Sequence, residues 1–262
     1  MNRTIARFLL PFVLALMPAS AGVSSGAAPK PLALTAAPAR LLVPGSQHAT
    51  VRIRNPGAKR LVVDVAPAGF ALDLRGRPRI VARRGVRSAA GWLTLRPTHF
   101  TLAPHAIAHL RVSVRVPRHA EPGDHDALVL LSARPLANAA VSVRLRLGVV
   151  VVVRAPGVVV RRLRLGRLRV TRRGGKRALE LAVVNAGNVT ERLLRVRTVV
   201  SRLPSRRRIA KVAAGARELR PRTRALLDFR LRTRAHGPAE ARVLVPAAPG
   251  RPPLRRAYRI RL

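Results

Sequence analysis

Apolar and polar residues alternate with a period of two along much of the chain. The alternation is clearest in four segments, Val51–Arg54, Leu110–Val116, Val141–Leu147 and Tyr258–Leu262. Successive side chains of a β-strand point to opposite faces of a sheet. The Val, Leu and Ile side chains would therefore line a core, while the intervening Arg side chains face solvent. Because no segment shows a convincing 3.6-residue apolar period, not even 209–219, which comes nearest, the pattern predicts an all-β protein.

Turn-forming residues divide the chain into short predicted strands at intervals of about 8 to 12 residues, a spacing typical of β-sandwiches. The strands form two sets of about seven, the number in a constant-type immunoglobulin sandwich, with Arg154–Gly157 between them as a hinge. The first set is predicted near 39–43, 48–54, 60–66, 91–96, 107–116, 126–134 and 139–153. The second set is predicted near 158–170, 177–185, 191–201, 209–213, 223–233, 239–246 and 254–262. We therefore predict two tandem immunoglobulin-like β-sandwich domains, at residues 39–154 and 155–262.

The two predicted domains repeat one another weakly. Val51–Gly57, followed by Arg60-Leu-Val-Val, matches Leu181–Gly187, followed by Glu191-Arg-Leu-Leu. Each copy is a strand, an Asn-x-Gly turn and a second strand. Self-similarity of this kind favours two copies of one β-module.

The N-terminus has the features of a secretory signal peptide at residues 1–21. Arg3 and Arg7 precede a short apolar run, Phe8–Met17, and small residues follow at Ala19 to Ala21. The apolar run is about half the roughly 20 residues that a membrane-spanning helix needs. Residues 22–38 are rich in Gly, Ala, Ser and Pro, which is typical of a flexible leader. We expect a secreted or cell-envelope protein with no transmembrane segment in the mature chain.

The charge balance is strongly basic. The chain has 52 Lys and Arg against 10 Asp and Glu, a formal net charge of +42. A GC-rich genome enriches Arg without any function, but an excess this large also produces a field that attracts polyanions. Aromatic residues make up 3% of the chain, which is few for binding nucleic acid by base stacking. Outside the cytoplasm, the expected partners are an anionic cell-wall glycopolymer or peptidoglycan, with surface proteins as further partners and no nucleic acid.

No set of residues in the sequence favours catalysis or metal binding. The chain has no Cys, which excludes disulfides, a thiolate nucleophile and a Cys-based zinc site. No Ser lies in a G-x-S-x-G motif, and no Gly-rich phosphate loop precedes a helix. The loop His119–Asp126 holds two His and three carboxylates, but their spacing fits neither an EF-hand nor a zinc helix, so we interpret it as a turn. We predict a protein that is not an enzyme, with no cofactor and no metal.

Clustered Arg residues are the candidate polyanion-binding residues, because guanidinium groups pair with phosphate and carboxylate bidentately. They are Arg161, Arg162, Arg206, Arg207 and Arg208. A solvated strand face is the other interpretation. Trp92, the single Trp, would contact a sugar ring or fill the core of a sandwich.

Several motifs resemble those of WxL-interacting cell-surface proteins. Gly91–Pro104, Leu110–Pro117 and Glu121–Asp124 resemble their peptidoglycan-binding N-terminal domain, and Val184–Asn188 resembles the turn that opens their second immunoglobulin-like domain. The resemblance implies a two-domain surface protein that contacts peptidoglycan and other proteins.

Two functional hypotheses follow. The first is an exported, non-catalytic binding or scaffold protein of the cell envelope. The alternative is a periplasmic pilus-type chaperone that acts by strand donation. In that alternative, Arg154 at the hinge would bind the C-terminal carboxylate of a subunit.

Overall fold

The computed structural model describes residues 32–81, 88–136, 143–246 and 252–262. Within these ranges the protein is almost entirely β, with one short 3-10 helix at Ala90–Trp92. The predicted all-β fold of tandem immunoglobulin-like domains is therefore confirmed. No helix in the described ranges is long and apolar enough to cross a membrane. The predicted signal peptide and most of the predicted leader lie outside the described residues.

The described part of the first sandwich contains ten strands. They are β1 (Thr35–Ala37), β2 (Arg40–Pro44), β3 (His48–Arg54), β4 (Leu61–Leu72), β5 (Pro78–Val81), β6 (Leu93–Arg96), β7 (His99–Leu102), β8 (Ile107–Val114), β9 (Gly123–Pro135) and β10 (Leu145–Ala155). One sheet has the order β1-β3-β8-β6. The other has the order β2-β10-β9-β4, and β5 and β7 both pair with β4. The inward-facing residues of these strands, Val51 and Ile53 among them, form the first hydrophobic core.

The second sandwich contains nine strands in the described residues. They are β11 (Leu163–Arg173), β12 (Lys176–Asn185), β13 (Glu191–Leu193), β14 (Arg197–Arg202), β15 (Arg208–Ala213), β16 (Arg217–Leu219), β17 (Arg224–Arg230), β18 (Pro238–Val245) and β19 (Leu254–Arg261). Its sheets have the orders β11-β12-β17 and β15-β14-β18-β19, and β13 pairs with β16. A second hydrophobic core lies between these sheets, with Phe229 fully buried in it.

The two Asn-x-Gly turns of the sequence repeat have the same structure. Asn55 Nδ2 donates to three backbone carbonyl oxygens, and its Oδ1 accepts the N–H of Gly57. Asn185 makes the same set of contacts, with Gly187 as the donor. Both Asn side chains are buried, and buried amides of this kind need all their partners. The two sandwiches therefore share a structural device that the repeated motif encodes.

The predicted strands differ from the observed ones in a few places. Thr35–Ala37, which the sequence places in the leader, pairs with β3 because Leu34 anchors this segment in the first core. The predicted strand 191–201 is two strands, since Arg195 between them adopts a left-handed φ of 54°. The short strands β5, β7 and β16 were not predicted, because three or four residues hardly establish an alternation. The predicted boundary between 154 and 155 stays a prediction.

Candidate functional site: a partly uncovered strand and the junction beside it

One face of β10 carries an apolar row that leaves the core of its own sandwich. Val149, Val151 and Val153 have no exposed surface. Leu145 and Leu147 continue the row but are only partly buried against the same core. Val143, two residues further along, is 49% exposed. The row therefore starts in the interior and ends in solvent.

The backbone of β10 is also uncovered along part of one edge. β9 pairs with β10 over its whole length, from Leu145↔Ala133 to Ala155↔Gly123. On the other edge, β2 pairs with β10 only from Val150 to Arg154. Among the described residues, no strand pairs with this edge between Leu145 and Val149. Unpaired N–H and C=O groups of a strand edge are a template for pairing with another chain.

A sheet change near the N-terminus explains why β2 covers only half of this edge. β1 belongs to the sheet of β3, whereas β2, which follows it after two residues, runs parallel to β10 in the opposite sheet. β2 begins at Arg40, opposite Val150, and the segment before it, Thr35–Ala37, pairs with β3 in the other sheet, so neither covers the preceding part of β10. The uncovered backbone and the partly buried Leu145 and Leu147 consequently lie on the same part of β10.

A buried ion pair lies where β10 meets the second sandwich. Asp124, in β9, is 1% exposed and accepts hydrogen bonds from Arg154 Nε at 2.7 Å and Nη2 at 3.1 Å. Its Oδ2 also accepts the backbone N–H of Thr190, in the second sandwich, at 2.7 Å. Burial acts to raise the pKa of Asp124, but the hydrogen bonds from Arg154 and Thr190 outweigh it and lower that pKa below its ordinary value.

This ion pair also decides the role of Arg154. Under the strand-donation hypothesis, Arg154 was expected to bind the C-terminal carboxylate of a subunit. Its guanidinium instead binds Asp124 bidentately, and these hydrogen bonds, together with the charge of the carboxylate, hold the pKa of Arg154 above its ordinary value. Arg154 therefore stabilises the junction and is not a free cation for a second carboxylate.

The backbone of Gly123 and Asp124 contacts Asn188 of the second sandwich directly. Asp124 N–H donates to the Asn188 carbonyl oxygen at 2.8 Å. The Asn188 side chain donates to the carbonyl oxygens of Pro122, at 3.1 Å, and Val158, at 2.8 Å. One amide group thus ties together the first sandwich, the linker and the second sandwich.

Gly123 is required at this contact for two reasons. Its φ is 111°, a conformation that L side chains rarely adopt, and a Cβ there would clash with the Asn188 carbonyl oxygen.

We expect Gly123→Ala to lower the free energy of unfolding by about 1–2 kcal/mol, measured by urea denaturation. Gly215→Ala is the control, since Gly215 has no left-handed φ and no atom near its Cβ position. Equal stability of the two variants would contradict this account of the junction.

A second buried carboxylate extends the junction. Asp126 is paired with Arg220, whose Nη1 donates to the Phe70 carbonyl oxygen and whose guanidinium lies 4.6 Å from the centre of the Phe70 ring. Burial raises the pKa of Asp126 above its ordinary value despite the charge of Arg220.

Further ion pairs surround these two. Five of the ten carboxylates of the chain contact the opposite sandwich. The contacts are Asp124 with Thr190, Asp126 with Arg220, Glu218 with Arg40, Glu121 with Arg222 and Glu180 with Arg75. The few negative charges are therefore concentrated where the sandwiches meet. The three carboxylates in the segment Glu121–Asp126 could have indicated this concentration of negative charge, but the sequence analysis interpreted that loop only as a turn.

The predicted polyanion-binding residues lie on two separate segments. Arg161 donates to Glu191 at 2.9 Å, and the neighbouring Arg162 is exposed. Arg206, Arg207 and Arg208 are exposed at the connection between β14 and β15, where Arg206 has a φ of 54°. Their role in ligand binding stays a prediction.

Trp92 packs against the first core and is partly buried. Its ring centre lies 4.4 Å from that of His125. His125 is itself buried, and its Nε2 donates to the Glu121 carbonyl oxygen at 2.7 Å. This position agrees with the core interpretation of Trp92, and the sugar contact stays a prediction. In the part of the chain that the structure describes, no group of three or more His and acidic residues could hold a metal ion.

The fold is similar to that of solved chaperones of bacterial fimbriae. No family model and no curated protein matches the sequence. Among solved structures, the class 5 fimbriae chaperone CfaA matches with a TM-score of 0.50 and 12% identity, over 86% of this chain and 98% of that one. The YadV chaperone matches with a TM-score of 0.49 and 10% identity over 86% and 98%. The Salmonella enterica SafA pilin in complex with the SafB chaperone matches with a TM-score of 0.48 and 16% identity over 88% and 99%.

These matches correct the resemblance drawn from the sequence. The match with a TM-score of 0.50 is a fimbrial chaperone and not a WxL-interacting protein, so the resemblance to WxL-interacting proteins was wrong. The predicted partners, an anionic wall glycopolymer or peptidoglycan together with surface proteins, were wrong with it, and so was the envelope-scaffold function. The motifs that misled are combinations of strands and turns. Immunoglobulin-like modules of many functions share such combinations, and therefore they report a fold rather than a ligand.

Proposed function

We propose that the protein is an extracytoplasmic chaperone that acts without catalysis, by donating β10 to a subunit with an incomplete sandwich. The observation that supports this proposal is the apolar row on β10. It leaves its own core at Leu147 and Leu145, where the edge of β10 is unpaired, and the next apolar residue, Val143, lies just before the strand and is exposed. A strand edge and an apolar row are what β-strand addition requires.

The two features have different roles in binding. The unpaired N–H and C=O groups of residues 145–149 would form a ladder with the subunit, and these main-chain hydrogen bonds contribute affinity. Side chains at every second position would enter the groove that the missing strand of the subunit leaves open, and they contribute specificity. Arg144 and Arg146 lie on the opposite face and are exposed, so they would stay in contact with solvent in the complex.

The junction supports the proposal because it fixes the second sandwich at the base of the donated strand. Arg154, near the end of β10, is held by Asp124, which also binds Thr190 of the second sandwich. A strand that is held at its base loses less conformational freedom on binding, and preorganisation of this kind increases affinity. The predicted signal peptide agrees with a place of action outside the cytoplasm. In the solved structures, related folds are found in complex with pilin and tip adhesin subunits.

Site-specific photo-crosslinking in the native organism tests the proposal. A photoreactive residue at position 143 should crosslink to a polypeptide whose immunoglobulin-like sandwich lacks one strand, identified by mass spectrometry. The matched control carries the same residue at position 254, because Leu254 is also an exposed apolar residue, 36% accessible, on a strand of the second sandwich. Equal crosslinking from both positions, or crosslinking from 143 only to fully folded proteins, would contradict strand donation.

A further inference from the structure

The outer face of β10, which points away from the first core, is basic where the edge of the strand is uncovered. Arg146 lies on this face and Arg144 lies just before the strand, and both are exposed. In β9, which pairs with β10, Arg134 is exposed on the same side of the sheet, since its neighbour Ala133 is buried in the first core. The edge that is open to another strand is therefore bordered by positive charge.

The carboxylates of this sheet lie farther from Arg146 than a newly paired strand would. Asp64, in β4, is in the same row as Arg146, but Ser132 of β9 stands between them. Two strand spacings amount to about 10 Å, which is roughly one Debye length at physiological ionic strength, and Asp64 pairs with His99 on its far side. The carboxylates of β9 belong to the junction at the other end of that strand.

Cross-strand pairing determines which side chains would meet the basic pair. Residues directly opposite one another on adjacent strands have Cβ atoms about 4.5–5.5 Å apart. A strand that joins the open edge of β10 therefore places one side chain beside Arg146 and another, two residues along, beside Arg144. Opposite charges in such pairs stabilise the pairing of the strands, and like charges destabilise it. The open edge should consequently favour acidic side chains over Lys and Arg.

We propose that the strand which joins β10 carries Asp or Glu at two alternating positions, on the face that points away from the first core. This inference rests on the proposed strand donation and adds a recognition feature of the subunit, an acidic rim beside its groove. The apolar row of β10 would fill the groove, whereas Arg144 and Arg146 would pair with the rim. A subunit with a fitting groove and a basic rim would be bound poorly.

Three short labelled peptides test the acidic rim, by fluorescence anisotropy at physiological ionic strength. The first alternates Glu with Val, the second alternates Lys with Val, and the third has the composition of the first in an order that breaks the alternation. We expect the Glu–Val peptide to bind about 10-fold or more tightly than the other two, because it alone combines the strand alternation with the opposite charge. A general attraction of acidic peptides to a chain with a net charge of +42 would bind the first and third peptides equally.

Charge reversal identifies the residues responsible. Arg144→Glu/Arg146→Glu should weaken binding of the Glu–Val peptide about 10-fold or more and strengthen binding of the Lys–Val peptide. Arg52→Glu/Arg54→Glu is the matched control. It reverses two exposed charges at the same spacing, but both edges of β3 are paired there, with β1 and β8, and binding should stay within about 2-fold of the unchanged protein. Circular dichroism and thermal unfolding confirm that each variant is folded.

Failure of the acidic rim and failure of strand donation give different results. Any of three results overturns the rim: no binding of the Glu–Val peptide, equal binding of the shuffled peptide, or equal effects of the two charge reversals. If position 143 still crosslinks to an incomplete sandwich, strand donation stands without the rim. Lys or Arg at the alternating positions of the strand that borders the groove of that subunit would also overturn the rim. If position 143 crosslinks to no incomplete sandwich, strand donation fails, and with it the subunit as the partner of Arg144 and Arg146.

Discussion

Asp124→Asn should lower the free energy of unfolding by about 2–3 kcal/mol at neutral pH. Removing one partner of a buried ion pair costs about 3–5 kcal/mol. The cost here is smaller, because the Arg154 side chain is 30% exposed and water screens part of its charge. Asn keeps the size of the side chain but turns a donor toward the guanidinium and weakens the contact with Thr190. Urea denaturation monitored through Trp92 measures the change.

The effect of this substitution should depend on pH in one direction. The pKa of Asp124 is lowered in the folded protein, so the ionised carboxylate stabilises the fold fully above the pKa of the unfolded chain. That contribution is lost as the pH falls through the folded pKa. The difference in stability between the two proteins should therefore be constant from neutral pH to about pH 5 and shrink below about pH 4.

Asp64→Asn is the control for both measurements. The Asp64 side chain is 55% exposed and pairs with an exposed His99, and exposed pairs contribute about 0–1 kcal/mol. If Asp64→Asn and Asp124→Asn destabilise the protein equally, the junction does not depend on the buried pair. If the Asp124→Asn difference grows on acidification, the direction assigned to the pKa of Asp124 is wrong.

The fold could be predicted because its signal is local. An alternation such as Val51-Arg-Ile-Arg54 reports which face of a strand is buried without any knowledge of its neighbours. The repeated Asn-x-Gly turns likewise report a local hydrogen-bonding device, made by Asn55 and Asn185 in the two sandwiches. In β11 the pairing with β12 shifts register at Gly166, which makes a bulge. The spacing of Leu165 and Leu168 indicates this bulge, although the sequence analysis predicted a regular strand there.

The candidate site was harder to predict because it depends on the part of the β10 edge that β2 leaves unpaired. The strand predicted at 139–153 should have its apolar face in a core, and for Val149, Val151 and Val153 that is correct. Whether the row ends inside or outside the core depends on where β2 joins the sheet, and no local pattern encodes that position. The ion pairs of the junction join residues 30 to 178 positions apart, so sequence spacing does not reveal them.

Replacing residues of the emerging row by Arg should abolish capture of the subunit identified by crosslinking. In the complex, Val143 and Leu145 would lie in the groove of the subunit, and an Arg at either position would place an unpaired charge in an apolar site. Together with the lost apolar contact, this should weaken binding by about 100-fold or more. Affinity is measured by surface plasmon resonance with this protein immobilised and the subunit diluted from denaturant.

Two variants separate a lost binding face from a damaged fold. Leu145→Arg affects a side chain that also packs on the first core, and some loss of stability is expected. Val143→Arg lies beyond that core and should leave the thermal unfolding midpoint unchanged while still abolishing capture. Leu254→Arg makes the same change on β19 and should bind normally. If Val143→Arg captures the subunit as well as Leu254→Arg does, the apolar row of β10 is not what the subunit recognises, because a charge cannot enter an apolar groove without a large loss of affinity.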